Sequence, residues 1–189
     1  NDIRTKQGIP EAFRFANITL CILATGLLIF VLAVQGGVTL LLNAGTYNPT
    51  ITLMLQLLQV LFPYLWFLSL YALGMGILNS HGRFFAGSLS SVILDGVWIA
   101  AVLWVPAWAG TDIVARLRWL AYAILFGGFL HIAAEYPSLH QIGFRIRWIW
   151  NTAHEGLRRV WKLLIPVVLG FAVVQINITV DSTIGLLIG

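Results

Sequence analysis

FANITLCILATGLLIFVLAVQGGVTLLLNAGTYNPTITLMLQLLQVLFPYLWFLSLYALGMGILNSHG, Phe15 to Gly82, contains no Asp, Glu, Lys or Arg, and its one polar patch is Asn43 to Thr50. A spanning helix takes about 20 apolar residues, because lipid offers no partner to a backbone N–H or C=O. The stretch therefore reads as two membrane spans joined by a hairpin. A charged opening, NDIRTKQG, leads into an apolar run too long for the core of a cleavable signal, so the first span stays in the membrane.

The same criterion extends along the chain to five segments, about 14–42, 51–79, 84–105, 113–134 and 160–188. They are joined by NAGTYNPT, SHGR, PAWAGT and a longer link, Glu135 to Arg159. The composition agrees: 59% of residues are hydrophobic and 10% charged, against about 25% charged in a soluble domain. The expected fold is all-α, a polytopic integral membrane helical bundle. The opening without Met and the stop at Gly189 inside an apolar run are expected to be cuts from a longer polypeptide. The single cysteine, Cys21, excludes an internal disulfide and a cysteine-based metal cluster.

Short loops rich in Lys and Arg face the cytoplasm. With five spans, Arg4, Lys6, Arg14, Arg83, Arg145, Arg147, Arg158, Arg159 and Lys162 gather on one side and only Arg116 and Arg118 on the other. The start is thus expected inside and Gly189 toward the outside. A net charge of +4 raises nucleic acid as a partner, but these cations sit at membrane edges beside Trp148, Trp150 and Trp161, so anionic phospholipid headgroups are the expected partner and nucleic acid is not. In the link, FRIRWIW alternates apolar and basic residues and reads as an amphipathic segment on the inner surface, either a seam between two lobes or a simple loop. An apolar run with an internal Pro followed by Gly and Asn occurs at Pro63–Asn79 and again at Pro166–Asn177, as a repeat-built transporter or chance would give.

Polar groups inside spans carry the functional signal, since an Asp at a helix centre costs about 2.5–3.5 kcal/mol on insertion scales. Asp95 interrupts the third span, and Asp181 sits in the fifth with Gln175 and Asn177 close by. Gly170, Asn177, Asp181 and Gly185 are spaced by seven, four and four, which aligns them on one helical face. Such a face could hold Na⁺ or a proton if a second helix adds oxygen ligands; the other reading is a packing Asp, or one wetted by the outer interface. No metal other than sodium is expected, because no histidine pair has helical ligand spacing.

On its own face Asp95 has only the hydroxyls of Ser91 and Ser88, one and two turns back, and needs a partner from another span. With Asn79 and Arg83 it makes up the candidate substrate pathway. Pro63 and Pro166 each remove an N–H and free a carbonyl about one turn earlier, as a hinge for alternating access or as a static kink. Gly74, Gly76, Gly127 and Gly128 are read as close helix contacts. Arg116 and Arg118 point to different faces and reach for outer headgroups. No nucleophile elbow, phosphate loop or HExxH occurs, so an enzyme is not expected.

LLQVLFPYLWFLSLYALGMGILNSHGRF, Leu57 to Phe84, resembles the run of the lipid II flippases, the MurJ/MviN family, in which a span with an FPY start ends in GILN before a loop with RF. GGFLHIAAEYPSLHQIGF, Gly127 to Phe144, resembles that family's GG-x-L-Q helix end and P-x-L…G link. RRVWKLLIPVVLGFAVVQINITVDS, Arg158 to Ser182, resembles its seventh span. Three ordered blocks make the likeness specific.

The resemblance implies the third to seventh of about fourteen helices of a two-lobe MOP-superfamily transporter. Residues 1–134 would lie in the N-terminal lobe, 135–159 would be the cytoplasmic link, and 160–189 would open the C-terminal lobe. It also implies export of undecaprenyl-pyrophosphate-linked disaccharide pentapeptide across the bacterial inner membrane. The family's cavity arginines lie on helices outside this stretch. Asp181 matches a position where some members use Asp in a sodium site, whereas Asp95 departs from the usual Asn of the L-L-N pattern. Other MOP transporters, for O-antigen or for drugs and cations, and a non-transporting scaffold of the same fold are the competing readings.

Overall fold

The computed structural model describes residues 8–188, apart from the side chains of Ala86, Val167, Thr179 and residues 181–188. The described residues form six helices: α1 (Ile9–Ala44), α2 (Pro49–Leu61), α3 (Tyr64–Ser80), α4 (Phe84–Ala109), α5 (Ile113–Gln141) and α6 (Glu155–Ile188). Taken as α1, α2 with α3, α4, α5 and α6, these give five stretches long and apolar enough to cross a bilayer. The helices up to Trp150 make one compact unit, and Asn151 onward, with α6, makes a second.

Local chemistry sets the helix ends. Pro10 and Pro49 stand in first turns, where a missing N–H costs nothing, and Asn48 caps α2 by accepting from Ile51 N at 3.0 Å. Asp112 caps α5 in the same way, accepting from Val114 N at 3.0 Å. The ends of α3 and α5 close alike. Gly82 and Gly143 take positive φ, and the next residue turns its N–H back to a helix carbonyl, Arg83 to Leu78 and Phe144 to Leu139.

Helix α5 is the hub, packing on α2, α3 and α4, while α1 packs on α2 and α3. Glycines let it come close: a Cβ on Gly127 would stand 2.8 Å from Leu94 Cδ1, and one on Gly128 2.7 Å from the Tyr64 ring. A small apolar core of Ile77, Leu78, Leu139 and Phe144 fills the end where α3 and α5 finish, and Phe13 of α1 covers it. The exterior is apolar, with Leu40, Val92, Leu103 and Trp104 exposed, and the interior holds Asn17, Ser90, His131 and Glu135. That arrangement suits lipid as solvent and would fail in water.

The expected second span, 51–79, is broken in the middle. Pro63 has no N–H, and α2 ends at Leu61 in a tight turn in which Leu65 N bonds to Phe62 O at 3.1 Å and Trp66 N to Pro63 O at 3.1 Å. Pro166, by contrast, lies within an unbroken α6, as Pro106 does within α4 and Pro137 within α5. Helix α4 therefore runs on through Pro106 to Ala109, and α5 runs past 134 to Gln141, so Glu135 belongs to the bundle and not to the link. Residues 144–150 of the link are extended and lie along α1.

Candidate functional site

Helix α5 carries His131 and Glu135 one turn apart, so both side chains project from one face into the bundle. They are 3% and 1% exposed, and they are the ionisable members of a buried polar set that also includes Asn17 and Ser90. The Tyr71 ring of α3 stacks on the His131 ring with centroids 3.6 Å apart. One turn further along α3, Gly74 presents bare backbone to the Glu135 carboxyl, which occupies the space a Cβ would need.

From α4, Ser91 Oγ and the Gly87 carbonyl oxygen each lie 3.1 Å from the Tyr71 hydroxyl, and Met75 Sδ of α3 lies 3.2 Å from it. Ser90 is buried as well and donates to Gly87 O at 2.7 Å. Asp95, one turn beyond Ser91 on α4, is exposed. Two buried polar atoms of the cluster, His131 Nε2 and Glu135 Oε1, have no hydrogen-bond partner.

A second polar junction sits at the Pro63 break. The carbonyl that Pro63 leaves without a helical donor is that of Gln59, four residues back, and Gln35 Nε2 of α1 donates to it at 2.6 Å. Gln59 Nε2 in turn donates to Thr39 Oγ1 at 2.8 Å, and Thr39 Oγ1 donates to Gln35 O at 2.8 Å. Trp66 Nε1 ties the far side of the break to α1 through Ala24 O at 2.9 Å.

At the end of the bundle, Asn17 holds the extended segment. Its Nδ2 donates to Arg145 O at 3.1 Å and to Phe13 O at 2.9 Å, and its Oδ1 accepts from Arg147 N at 2.5 Å. One turn on, Cys21 Sγ accepts from Ile149 N at 3.3 Å. An amide side chain here does what a neighbouring strand would do.

The residues singled out from sequence are scattered among these features. Asp95 borders the His131 cluster. Arg83 is exposed and donates Nη1 to Gln141 Oε1 at 2.8 Å, and Asn79 beside it has a buried Oδ1 with no hydrogen-bond partner; no bond joins either of them to Asp95 among the described residues. Gln175 and Asn177 are exposed on α6, and the side chain of Asp181 lies outside the described residues. Arg116 donates Nε to Gly110 O at 2.6 Å, and Arg118 donates Nη2 to Gln56 Oε1 at 3.2 Å. No group of three His, Cys, Asp or Glu side chains that could hold a metal is found among the described residues.

Sequence reasoning misses the buried His131–Glu135 pair, because Glu135, a charge after a long apolar run, reads as the first residue of the link. The spacing HIAAE offered the signal: two ionisable residues four apart on a helix that also carries Gly127 and Gly128.

An apolar shell around buried polar side chains, with helices long enough to cross a bilayer, defines a multi-pass α-helical membrane protein. Residues 4–187 match the family model described as lipid II flippase MurJ, and the chain belongs to that family. It is 35% identical to a probable lipid II flippase MurJ of Haemophilus influenzae over 129 residues, covering 68% of this chain and 24% of the relative. A Vibrio cholerae protein of the same description is 32% identical over 142 residues, 75% of this chain and 26% of the relative. One from Rhizobium tropici is 28% identical over 188 residues, 94% of this chain and 34% of the relative. The chain thus spans roughly a quarter to a third of the length of these curated relatives.

Proposed function

We propose that this chain is part of a lipid II flippase of the bacterial inner membrane, which exports undecaprenyl-pyrophosphate-linked disaccharide pentapeptide by alternating access and is a transporter, not an enzyme. The observation that carries the reading is the family match, which runs through all five spans. The helices up to α5 belong in this reading to an N-terminal lobe, the segment between α5 and α6 to an inter-lobe link, and α6 to the first helix of a C-terminal lobe. Anionic phospholipids are the expected neighbours of Arg145, Arg147, Trp148 and Trp150, all exposed.

Within that reading, Asp181, Asn177 and Gln175 are the proposed cation site, taking Na⁺ or a proton, and Asp95, Asn79 and Arg83 the proposed substrate pathway. Pro63 is the better supported hinge, since α2 and α3 meet there without a continuous backbone ladder, whereas Pro166 sits in an unbroken helix.

The test is complementation of a flippase-depleted bacterium by the full-length parent gene. Growth with normal cell shape is expected. A parent that reaches the membrane in normal amount and fails to restore growth overturns the flippase reading and favours a scaffold. Asp181→Ala is expected to weaken complementation most at low sodium, and equal growth at every sodium concentration removes the sodium site alone.

A further inference from the structure

We propose that Glu135 and His131, one turn apart on α5, form a proton-binding site buried between α3, α4 and α5 that takes up one exchangeable proton. The site is independent of what the parent protein transports. Three observations carry it.

The first is supply of charge. Helices α2, α3 and α4 contain no Lys or Arg, and those of α5, Arg116 and Arg118, are more than three turns from His131 toward the other end. Arg83, in the turn after α3, is exposed and donates to Gln141, and no ion pair of Glu135 is found among the described residues. A buried carboxylate needs a positive partner, and here the positive charge available is a proton, on its own oxygen or on the imidazole.

The second is the pair of buried atoms with no hydrogen-bond partner, Glu135 Oε1 and His131 Nε2. An unsatisfied polar atom in an apolar bundle is costly, and a proton turns either atom from acceptor into donor. The third is the shell. Tyr71 from α3 covers the imidazole, Gly74 leaves the carboxyl face to bare backbone, and the titratable residue of α4 is Asp95, one turn beyond the Ser91 that meets Tyr71. Helix α2, which also packs on α5, brings no titratable group.

A proton suits this site better than a divalent metal, because the described residues offer no third His, Cys, Asp or Glu ligand beside the pair. Binding is the uptake of one proton from water, forming a single O–H or N–H bond.

Infrared difference spectroscopy of the chain in lipid nanodiscs, followed against pH, tests the proposal. The wild type is expected to show a carboxylic C=O band that titrates and is missing from Glu135→Gln. His131→Gln is expected to move the midpoint of that band, because the imidazole lies one turn from the carboxyl on the same helix face. Asp95→Asn is expected to move it less, and Glu11→Gln not at all. A wild type without such a band, a band that survives Glu135→Gln, or a midpoint untouched by His131→Gln overturns the proposal. If Glu135→Gln fails to fold by circular dichroism, the His131→Gln midpoint decides.

Discussion

Gln35 donates its side-chain N–H to the main-chain oxygen of Gln59 at 2.6 Å, the carbonyl that Pro63 deprives of a helical donor. The break in the second span is thus closed from another helix, and the cost of the proline falls on α1 as well as on α2.

That relationship gives a double-mutant prediction. Gln35→Leu is expected to destabilise the chain by about 1 kcal/mol, the usual scale of an interhelical hydrogen bond in a membrane. In a Pro63→Ala background, residue 63 regains an N–H for Gln59, and the effect of Gln35→Leu should fall toward zero. Thermal unfolding of the four proteins in one detergent measures the coupling, and equal costs in both backgrounds would separate the bond from the kink.

Two glycines two residues apart should behave oppositely. A Cβ at Gly74 would stand 2.8 Å from Glu135 Cδ, while nothing lies within 4 Å of one at Gly76. Gly74→Ala is expected to cost about 1–3 kcal/mol by forcing the carboxyl out of place, whereas Gly76→Ala should be neutral or slightly stabilising through its higher helix propensity. Unfolding midpoints of the two variants under one condition decide the matter.

Tyr71→Phe keeps the ring on His131 and removes the hydroxyl that lies 3.1 Å from both Gly87 O and Ser91 Oγ. A loss of about 1 kcal/mol is expected. Ser91→Ala should cost less, since the Tyr71 hydroxyl keeps Gly87, and the same unfolding assay ranks the two.

Asn17→Ala should release the extended segment without melting the helices. Hydrogen exchange at the Arg147 amide, which donates to Asn17 Oδ1, is expected to rise by about tenfold or more, with cleavage by trypsin after Arg145 and Arg147 becoming faster. Unchanged protection at Arg147 would mean that Asn17 does not hold the segment.

The spans were legible because lipid demands long uncharged helices, and Phe15 to Gly82 contains no charged residue to interrupt them. The end of α5 was not, since Glu135 looks like a boundary in a hydropathy reading; packing of Gly74 and Tyr71 around that end decides otherwise, and neither is near it in sequence. Pro63 announced a freed carbonyl, but only the fold could supply Gln35 as its partner. Pro106 reads as the end of a span and is an interior residue, since a proline in a membrane helix removes one donor without ending the helix where surrounding groups or local backbone adjustment take up the freed carbonyl. In the link, alternation of basic and apolar residues suggested a surface segment, while its attachment to Asn17 and Cys21 through backbone atoms left no mark on side-chain pattern.

Backbone attachment of that kind reads length and ignores identity. Asn17 and Cys21 grip alternate residues, 145, 147 and 149, so substituting Arg145 or Ile149 leaves every contact in place, whereas inserting or deleting one residue would offer them the wrong peptide groups and turn each following side chain to the opposite face. Evolution can repaint this strip freely, but it cannot trim it.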